Sequence, residues 1–321
     1  MNLRFLFLGT GTSAGVPAIA CDCAVCTSTD PRDTRLRTAA AVLWTDPTGH
    51  ERVVLLDAGP DLRQQALRHT LRRCDANFLT HNHVDHTWGL DEVRRFNAVM
   101  REPIDVFADA RTHEGIRRVY QHVFDRAKNV NDSFVAHLIP RLLEPKKPVD
   151  LHGLRFTPIP LLHGKLPVLG FRIEAIAHGP SAMGRREPTS PLWGEVAERN
   201  DAGEEPTPSP TSPLPLAYCT DVSAIPPESW RLLEGLDTLV LDALRFRRHP
   251  THFTIDEACT VAERVGARRT WFIHIAHDVK HADVDPQLPE GVRLAYDGLV
   301  LRGGDPSHPL PPGEGGGAAA G

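Results

Sequence analysis

An α/β domain built in layers is what this sequence predicts. Short β-rich runs alternate along it with amphipathic helical patterns, the arrangement that packs helices onto sheets. Its 321 residues are 41% hydrophobic and 24% charged, which supplies a sizeable core and is unlike a disordered or collagen-like chain. The residues able to carry chemistry fall where strand-like runs end, and loops at strand ends are where such domains keep their sites.

Taken in order, strands are expected at 3–8, 40–45, 53–57, 77–80, 104–108, 154–160, 168–174, 216–220, 238–242 and 270–274. Each is a short apolar or β-branched run bounded by polar or turn residues. Residues 61–73 place Leu62, Ala66 and Leu71 among charges, and 255–265 repeat Ile255, Ala258, Ala262 and Val265 at helical spacing. Both read as amphipathic helices, the second behind the capping residue Thr254.

Two stretches leave this pattern. Residues 178–215 hold Glu187-Pro188-Thr189-Ser190-Pro191 and a Pro, Thr and Ser run ending at Pro213, a composition that cannot bury enough apolar surface to offset its ordering. They read as a disordered surface insertion, because strand-like sequence resumes at Leu216-Ala217-Tyr218. The tail 303–321, ending in glycines and alanines, reads as disordered too. One domain over residues 1–302 is therefore expected, with no internal repeat.

Thirty-six Lys+Arg against 41 Asp+Glu give a net charge of −5. Binding that neutralises many phosphates needs clustered positive charge, so nucleic acid is disfavoured as a partner and a small anionic substrate stays open. No segment approaches the ~20 apolar residues of a spanning helix, so no membrane partner is expected. Residues 1–20 imitate a signal peptide poorly, since the apolar run 3–8 contains Arg4 and is cut by Gly9-Thr10-Gly11, short of the ~7–15 residues of a secretory core. A cytoplasmic location follows, where thiols stay reduced and close cysteines favour metals over disulfides. A homodimer is compatible with the sequence.

Seventeen histidines and six cysteines stand out. The strongest cluster is His81-Asn82-His83-Val84-Asp85-His86, directly after the strand-like Phe78-Leu79-Thr80. Side chains alternate in an extended segment, so His81 and His83 can share one metal while Asp85 and His86, around the next turn, face a second. Imidazole and carboxylate together suit Zn, Mn or Fe. A second cluster, Cys21-Asp22-Cys23-Ala24-Val25-Cys26, offers three thiolates that need a fourth ligand to close a tetrahedral zinc site. His277, three residues past His274, is a candidate for that fourth place.

The spacing of the first cluster resembles the HxHxDH signature of the metallo-β-lactamase superfamily. The resemblance runs through Gly9 and Gly11, Asp57-Ala58-Gly59, the histidine motif, His163-Gly164, Cys219-Thr220-Asp221 and His274, and covers most of residues 1–302. It implies an αββα sandwich of two mixed sheets flanked by helices. It also implies that His81, His83 and His163 hold one of two catalytic divalent ions, Zn or Mn, that Asp85, His86 and His274 hold the other, and that Asp221 bridges them. Asp57 resembles the family's structural aspartate, which supports the ligands without being one.

Gly11-Thr12-Ser13-Ala14-Gly15-Val16-Pro17 followed by the cysteine cluster resembles one branch of that superfamily, the phosphoribosyl 1,2-cyclic phosphate phosphodiesterases and their relatives. That branch carries one structural zinc apart from its two catalytic metals, which places Cys21, Cys23, Cys26 and His277 on the structural ion. The likeness continues through Asp57-Ala58-Gly59-Pro60-Asp61-Leu62-Arg63 and His249-Pro250-Thr251-His252-Phe253-Thr254. It marks His252 as the proton donor, with His249 competing for the role.

A metal-dependent hydrolase is the function expected, one that cleaves small cyclic or nucleotide-like phosphodiesters. Two divalent ions ~3.5–4 Å apart would generate a bridging hydroxide and neutralise charge on the phosphate. His252 would protonate the departing oxygen, and Asp85 would serve as ligand and as the group that orients the attacking hydroxide. Lys165, Arg245 and backbone amides near Thr12-Ser13 are candidate phosphate contacts. Acyl hydrolysis of a thioester, lactone or β-lactam on the same metals is the alternative. A tRNA 3′-processing endonuclease would want a basic arm that residues 178–215 do not provide, and a non-enzymatic metal-binding module would have no need of the full ligand set.

Overall fold

The computed structural model describes residues 2–128, 134–176 and 212–302. The strands of its first half are β1 (Arg4–Gly9), β2 (Ala39–Thr45), β3 (Glu51–Leu56), β4 (Ala76–Phe78), β5 (Ile104–Ala108) and β6 (Leu138–Leu142). Those that follow are β7 (Val149–Leu151), β8 (Leu154–His163), β9 (Leu166–Ala175), β10 (Leu216–Cys219), β11 (Thr238–Asp242), β12 (Arg269–Ile273), β13 (Val292–Leu294) and β14 (Val300–Leu301). They form two seven-stranded sheets, ordered β14-β1-β2-β3-β4-β5-β6 and β13-β12-β11-β10-β9-β8-β7. Both are mixed: β1, β2 and β3 pair antiparallel and β3 to β6 parallel, while β7 to β10 pair antiparallel and β10 to β13 parallel.

Alternation along β1 shows how the layers arise. Phe5 and Phe7 point between the sheets, into a core with Phe78, Phe156, Phe171 and Tyr218. Leu6 and Leu8 point the other way, into a second core capped by α1 (Leu62–Arg68), α3 (Arg94–Met100) and α4 (Ala110–Val119). Phe78 is fully buried and stacks on Phe107 at 4.4 Å and on Phe156 at 4.6 Å between ring centres, a burial that contributes roughly 1.5–3 kcal/mol. The far face of the second sheet is covered by α6 (Ile255–Val265) through Ile255, Ala258, Val261 and Ala262. The result is the helix–sheet–sheet–helix sandwich that the resemblance implied. The remaining short helices are α2 (Val84–Thr87), α5 (Gln121–Phe124) and α7 (His281–Val284).

α6 begins and ends where its sequence says. Thr254 and Glu257 form a reciprocal capping box, and Gly266 closes the other end in the left-handed conformation. The helix expected at 61–73 is shorter, ending at Arg68. Thr70 takes a left-handed φ of 51°, and the amides of Thr70 and Leu71 donate back to the carbonyls of Leu67 and Ala66. That closure turns Leu71 back onto the helix-side core.

The expected insertion at 178–215 also needs correcting at its end. Pro213 is buried, Leu214 packs on the inter-sheet core, and the Pro215 carbonyl accepts from Asp237 and Thr238. Residues 178–211 and the tail 303–321 lie outside the described residues. Among the described residues no helix is long and apolar enough to cross a membrane.

The carboxyl ends of β4, β8, β10, β11 and β12 lie along one edge of the sandwich. Leu169 of β9 donates to the carbonyl of Thr80 at 3.0 Å, so the two sheets meet where the histidine motif begins.

Candidate metal centre and active site

The histidine motif is held in place by backbone contacts that need glycine. His81 and His83 follow β4, and Asp85 and His86 stand on α2, buried. The Ala58 amide donates to the His86 carbonyl and the Gly89 amide to the Ala58 carbonyl, both at 2.8 Å. A Cβ on Gly59 would lie 2.0 Å from the Asp85 carbonyl oxygen, and one on Gly89 would lie 2.0 Å from that of Gly59. No side chain fits at either place. Three non-glycine residues that follow strands here have left-handed backbone: Asp57 (φ 65°), Asp221 (φ 55°) and His274 (φ 61°). Such conformations cost roughly 1–3 kcal/mol each and cluster at functional sites.

These turns bring two donor sets together. One is His81, His83 and His163, the other Asp85, His86, Asp221 and His274, and within each set the donor atoms lie within 4.8 Å of one another. The sets adjoin: His81 and His86 rings are 4.4 Å apart, and a donor atom of His163 lies within 4.8 Å of one of Asp221. Inside the second set His86 Nε2 is 3.1 Å from Asp221 Oδ2 and His274 Nε2 is 3.4 Å from Asp221 Oδ1.

Three of the nitrogens facing away from the centre are engaged. His86 Nδ1 donates to Asp57 Oδ2 at 2.8 Å and His163 Nδ1 to the Thr251 carbonyl at 2.7 Å, while His81 Nδ1 meets Thr80 Oγ1 at 3.0 Å. Asp57 also accepts from the Thr80 amide and hydroxyl. The inward nitrogens are the opposite case. Nε2 of His81, His86 and His274 are buried without a hydrogen bond, an expensive condition for polar atoms. His86 Nε2 and Asp221 Oδ2 are close but lack hydrogen-bond geometry, as expected of atoms aimed at a shared point between them. Imidazoles with pinned outer nitrogens and idle inner ones, alternating with carboxylates, suit a divalent cation.

The electrostatics agree. Burial lowers the pKa values of His81, His83 and His163, leaving neutral rings with free lone pairs. Burial opposes charge on His86 as well, but Asp221, Asp57 and Asp85 outweigh it and lift its pKa well above the imidazole range. His274 is raised against burial, by Asp221 and Asp85, to about 9. Asp85 is itself held below the usual carboxylate range by His86 and His274, although burial works the other way.

His252 joins both sets. It is buried, its ring is 4.6 Å from those of His163 and His274, and its Nδ1 donates to Asp242 Oδ2 at 2.8 Å. His249 lies farther out, half-buried, with Nδ1 3.1 Å from Thr251 Oγ1. Asp242 is fully buried at the end of β11, accepts a second bond from the Val222 amide and lies 3.7 Å from His274 Nδ1. Sequence reading missed it. Its signal resembled that of Asp57, an aspartate that closes a buried apolar strand.

The candidate phosphate contacts fare unevenly. The Thr12 amide is taken by the Ile275 carbonyl, and the Arg245 side chain donates to the Arg247 carbonyl. Lys165 is exposed at the tip of the β8–β9 hairpin.

Some residues away in sequence, Cys21, Cys23 and Cys26 gather around His277. Their sulfurs lie 3.2, 3.6 and 3.5 Å from its Nδ1, close to the about 3.6 Å edge of a tetrahedron with standard zinc–sulfur and zinc–nitrogen bonds. The Cys26 amide donates to Cys23 Sγ and helps bring that thiol down to about 6. Buried Arg35, paired with Asp33 at 3.0 Å, donates to the Ala276 and Val279 carbonyls and so fixes the loop that carries His277.

Residues 52–185 and 212–275 match the Beta-lactamase superfamily domain. The chain belongs to the metallo-β-lactamase superfamily. A PhnP-family member described as a new diphosphatase is 34% identical, with a TM-score of 0.74 over 94% of this chain and 97% of that one. The Zn(2+)-bound PqqB of Methylobacterium extorquens shares the fold at 19% identity and a TM-score of 0.62, over 93% and 99% of the two chains. An octanoyltransferase of Porphyromonas gingivalis is 30% identical over 301 residues, 92% of this chain but 51% of that protein. A coenzyme PQQ synthesis protein B of Methylobacterium nodulans is 31% identical over 181 residues, 52% and 54% of the two. The chain thus spans about half the length of these curated relatives. The metallo-β-lactamase fold is that of metal-dependent hydrolases and implies divalent metal ions.

Proposed function

We propose that this metallo-β-lactamase fold hydrolase is a phosphodiesterase for small cyclic or nucleotide-like phosphodiesters. His81, His83 and His163 would hold one divalent ion, Asp85, His86 and His274 a second, and Asp221 both, with Zn or Mn as the metal. A zinc on Cys21, Cys23, Cys26 and His277 would be structural. When bound, the catalytic ions supply Lewis acidity toward the phosphate oxygens and lower the pKa of water.

The observation that carries the reading is His252. Asp242 Oδ2 accepts a hydrogen bond from its Nδ1 at 2.8 Å, which fixes the ring so that Nε2 addresses the cleft between His163 and His274. A departing alkoxide is strongly basic and needs a proton as its bond to phosphorus breaks, whereas a thiolate leaves without one. A buried imidazole braced by a buried carboxylate meets that need. Asp85, at the rim of the second donor set, accepts a hydrogen from the attacking water and orients its lone pair toward phosphorus. The 34% identity to a PhnP-family diphosphatase over nearly its whole length supports phosphorus chemistry.

The test is turnover by metal-analysed protein of a panel holding five-membered cyclic phosphodiesters, a thioester, a lactone and a precursor tRNA. Turnover of the cyclic phosphodiesters, lost in His83→Ala, is expected. Activity confined to the acyl substrates would overturn the reading in favour of acyl hydrolysis.

A further inference from the structure

His274 is a candidate ligand whose ring has no hydrogen bond to aim it. Nδ1 is engaged in His81, His86 and His163, whereas both ring nitrogens of His274 are buried without a partner. His252 stacks nearly parallel on the ring at 4.6 Å, which limits its tilt but not the direction its nitrogens take within the plane. That direction is left to the backbone. There His274 holds a left-handed φ of 61°, a strained conformation for a residue with a side chain.

The residue after it supplies the hold. The Ile275 amide donates to the Thr10 carbonyl at 2.9 Å, and the Ile275 carbonyl accepts from the Thr12 amide at 3.2 Å. Thr10, Gly11 and Thr12 form the turn after β1, wedged between the loop after β12 and residues 35–38. On the second side the Gly11 amide donates to the Leu36 carbonyl at 2.8 Å and the Gly11 carbonyl accepts from the Thr38 amide at 3.0 Å. A Cβ on Gly9 would lie 2.1 Å from the Arg37 carbonyl oxygen, so the wedge has no slack there.

Asp297, between β13 and β14, locks this wedge with a buried side chain. Its Oδ1 accepts from the Thr10 amide and hydroxyl, both at 2.9 Å, and its Oδ2 from the Leu36 amide at 2.8 Å. Arg68 Nη1 lies 3.7 Å from Oδ2. Three donors on two oxygens call for a carboxylate, because Asn would set one of its own N–H groups against a donor. The contacts therefore run from Asp297 to Thr10 and from Thr10 to Ile275, whose neighbour in the chain is His274.

We propose that Asp297 is a positioning residue for His274, holding the Thr10 turn so that Ile275 keeps the imidazole aimed at the metal centre. The proposal takes its readout from the two-metal reading and makes a claim of its own about which ion depends on Asp297.

Cobalt(II) titration of the full chain, stripped of its catalytic ions, tests it. Visible absorption follows cobalt on nitrogen and oxygen ligands, and the sulfur charge-transfer band sets aside cobalt at the cysteines. His274→Ala identifies the ion that depends on His274. Asp297→Ala is expected to weaken that same ion by at least about tenfold, the scale for groups that orient a ligand, and to change its spectrum, while the other ion binds as before. Unchanged affinities, or a loss shared equally by the two ions, would overturn the proposal, the second by showing a general loosening of the fold. Thermal melts confirm that each variant folds, and if Asp297→Ala does not, Asp297→Asn carries the same comparison. A single ion in the unaltered protein would retire the two-metal reading. The proposal would then stand if that ion weakened in both His274→Ala and Asp297→Ala, and fall if it ignored either.

Discussion

Asp57 Oδ2 accepts the Nδ1 proton of His86 at 2.8 Å, with both side chains buried. Asp57 touches no substrate, yet it decides which nitrogen of His86 is left to face the centre. Changing Asp57 to Asn removes the charge that holds this tautomer. Support of this kind is worth roughly 10–100-fold in metal affinity. A competition titration against a chromophoric chelator should show that loss, and unchanged affinity would remove Asp57 from the account.

Gly59 gives a steric prediction. Its missing Cβ is what lets the Asp85 carbonyl approach, since a methyl group would sit 2.0 Å from that oxygen. Gly59→Ala must push α2 and its two candidate ligands outward, at about 1–3 kcal/mol in stability. Urea unfolding and metal content read the two consequences. Native values of both would show that the loop yields freely.

Cys23→Ala should release one zinc equivalent per chain and lower the melting temperature, because three sulfurs and His277 tie residues 21–26 to the loop after β12. Elemental analysis with a thermal melt checks this, and unchanged zinc content would refute the assignment.

Asp297 supplies a pH dependence. Burial raises its pKa from the ordinary 3.8 to about 6, despite bonds from the Leu36 amide and from Thr10. A raised carboxyl binds its proton more tightly folded than unfolded, so its contribution is complete below about pH 4 and is lost as pH rises through 6. The loss amounts to about 3 kcal/mol at most. The stability difference between the protein and Asp297→Asn should shift in the variant's favour by up to that amount between pH 4 and 7. Denaturant midpoints across that range measure it, and a constant difference would contradict it.

Much of this site can be read in the sequence because the donors are local or stand at strand ends. His81, His83, Asp85 and His86 lie within six residues, and His163, Asp221 and His274 each close or follow an apolar run. The structure brings all seven together. Asp242 closes an apolar run in the same way as Asp57, but its partner His252, like those of Thr80 and Thr251, is set by tertiary packing that the sequence does not display. β7, β13 and β14 are two or three residues long, too short to show a period of two, and β6 has Pro140 inside it. α4 was missed because its buried face is Thr112, His113 and Ile116, only one of them aliphatic. The end of α1 depended on Thr70 entering a conformation that residue type seldom adopts.

The most direct test of the central claim is the leaving-group dependence of phosphodiester cleavage in His252→Ala. If His252 delivers the proton, the variant should lose about 10²–10⁴-fold on alkyl esters and far less on 4-nitrophenyl esters, whose leaving group needs no proton. The wild-type protein should show the shallower dependence on leaving-group pKa. An equal loss across the series would show that His252 does something other than donate a proton, and would contradict the account.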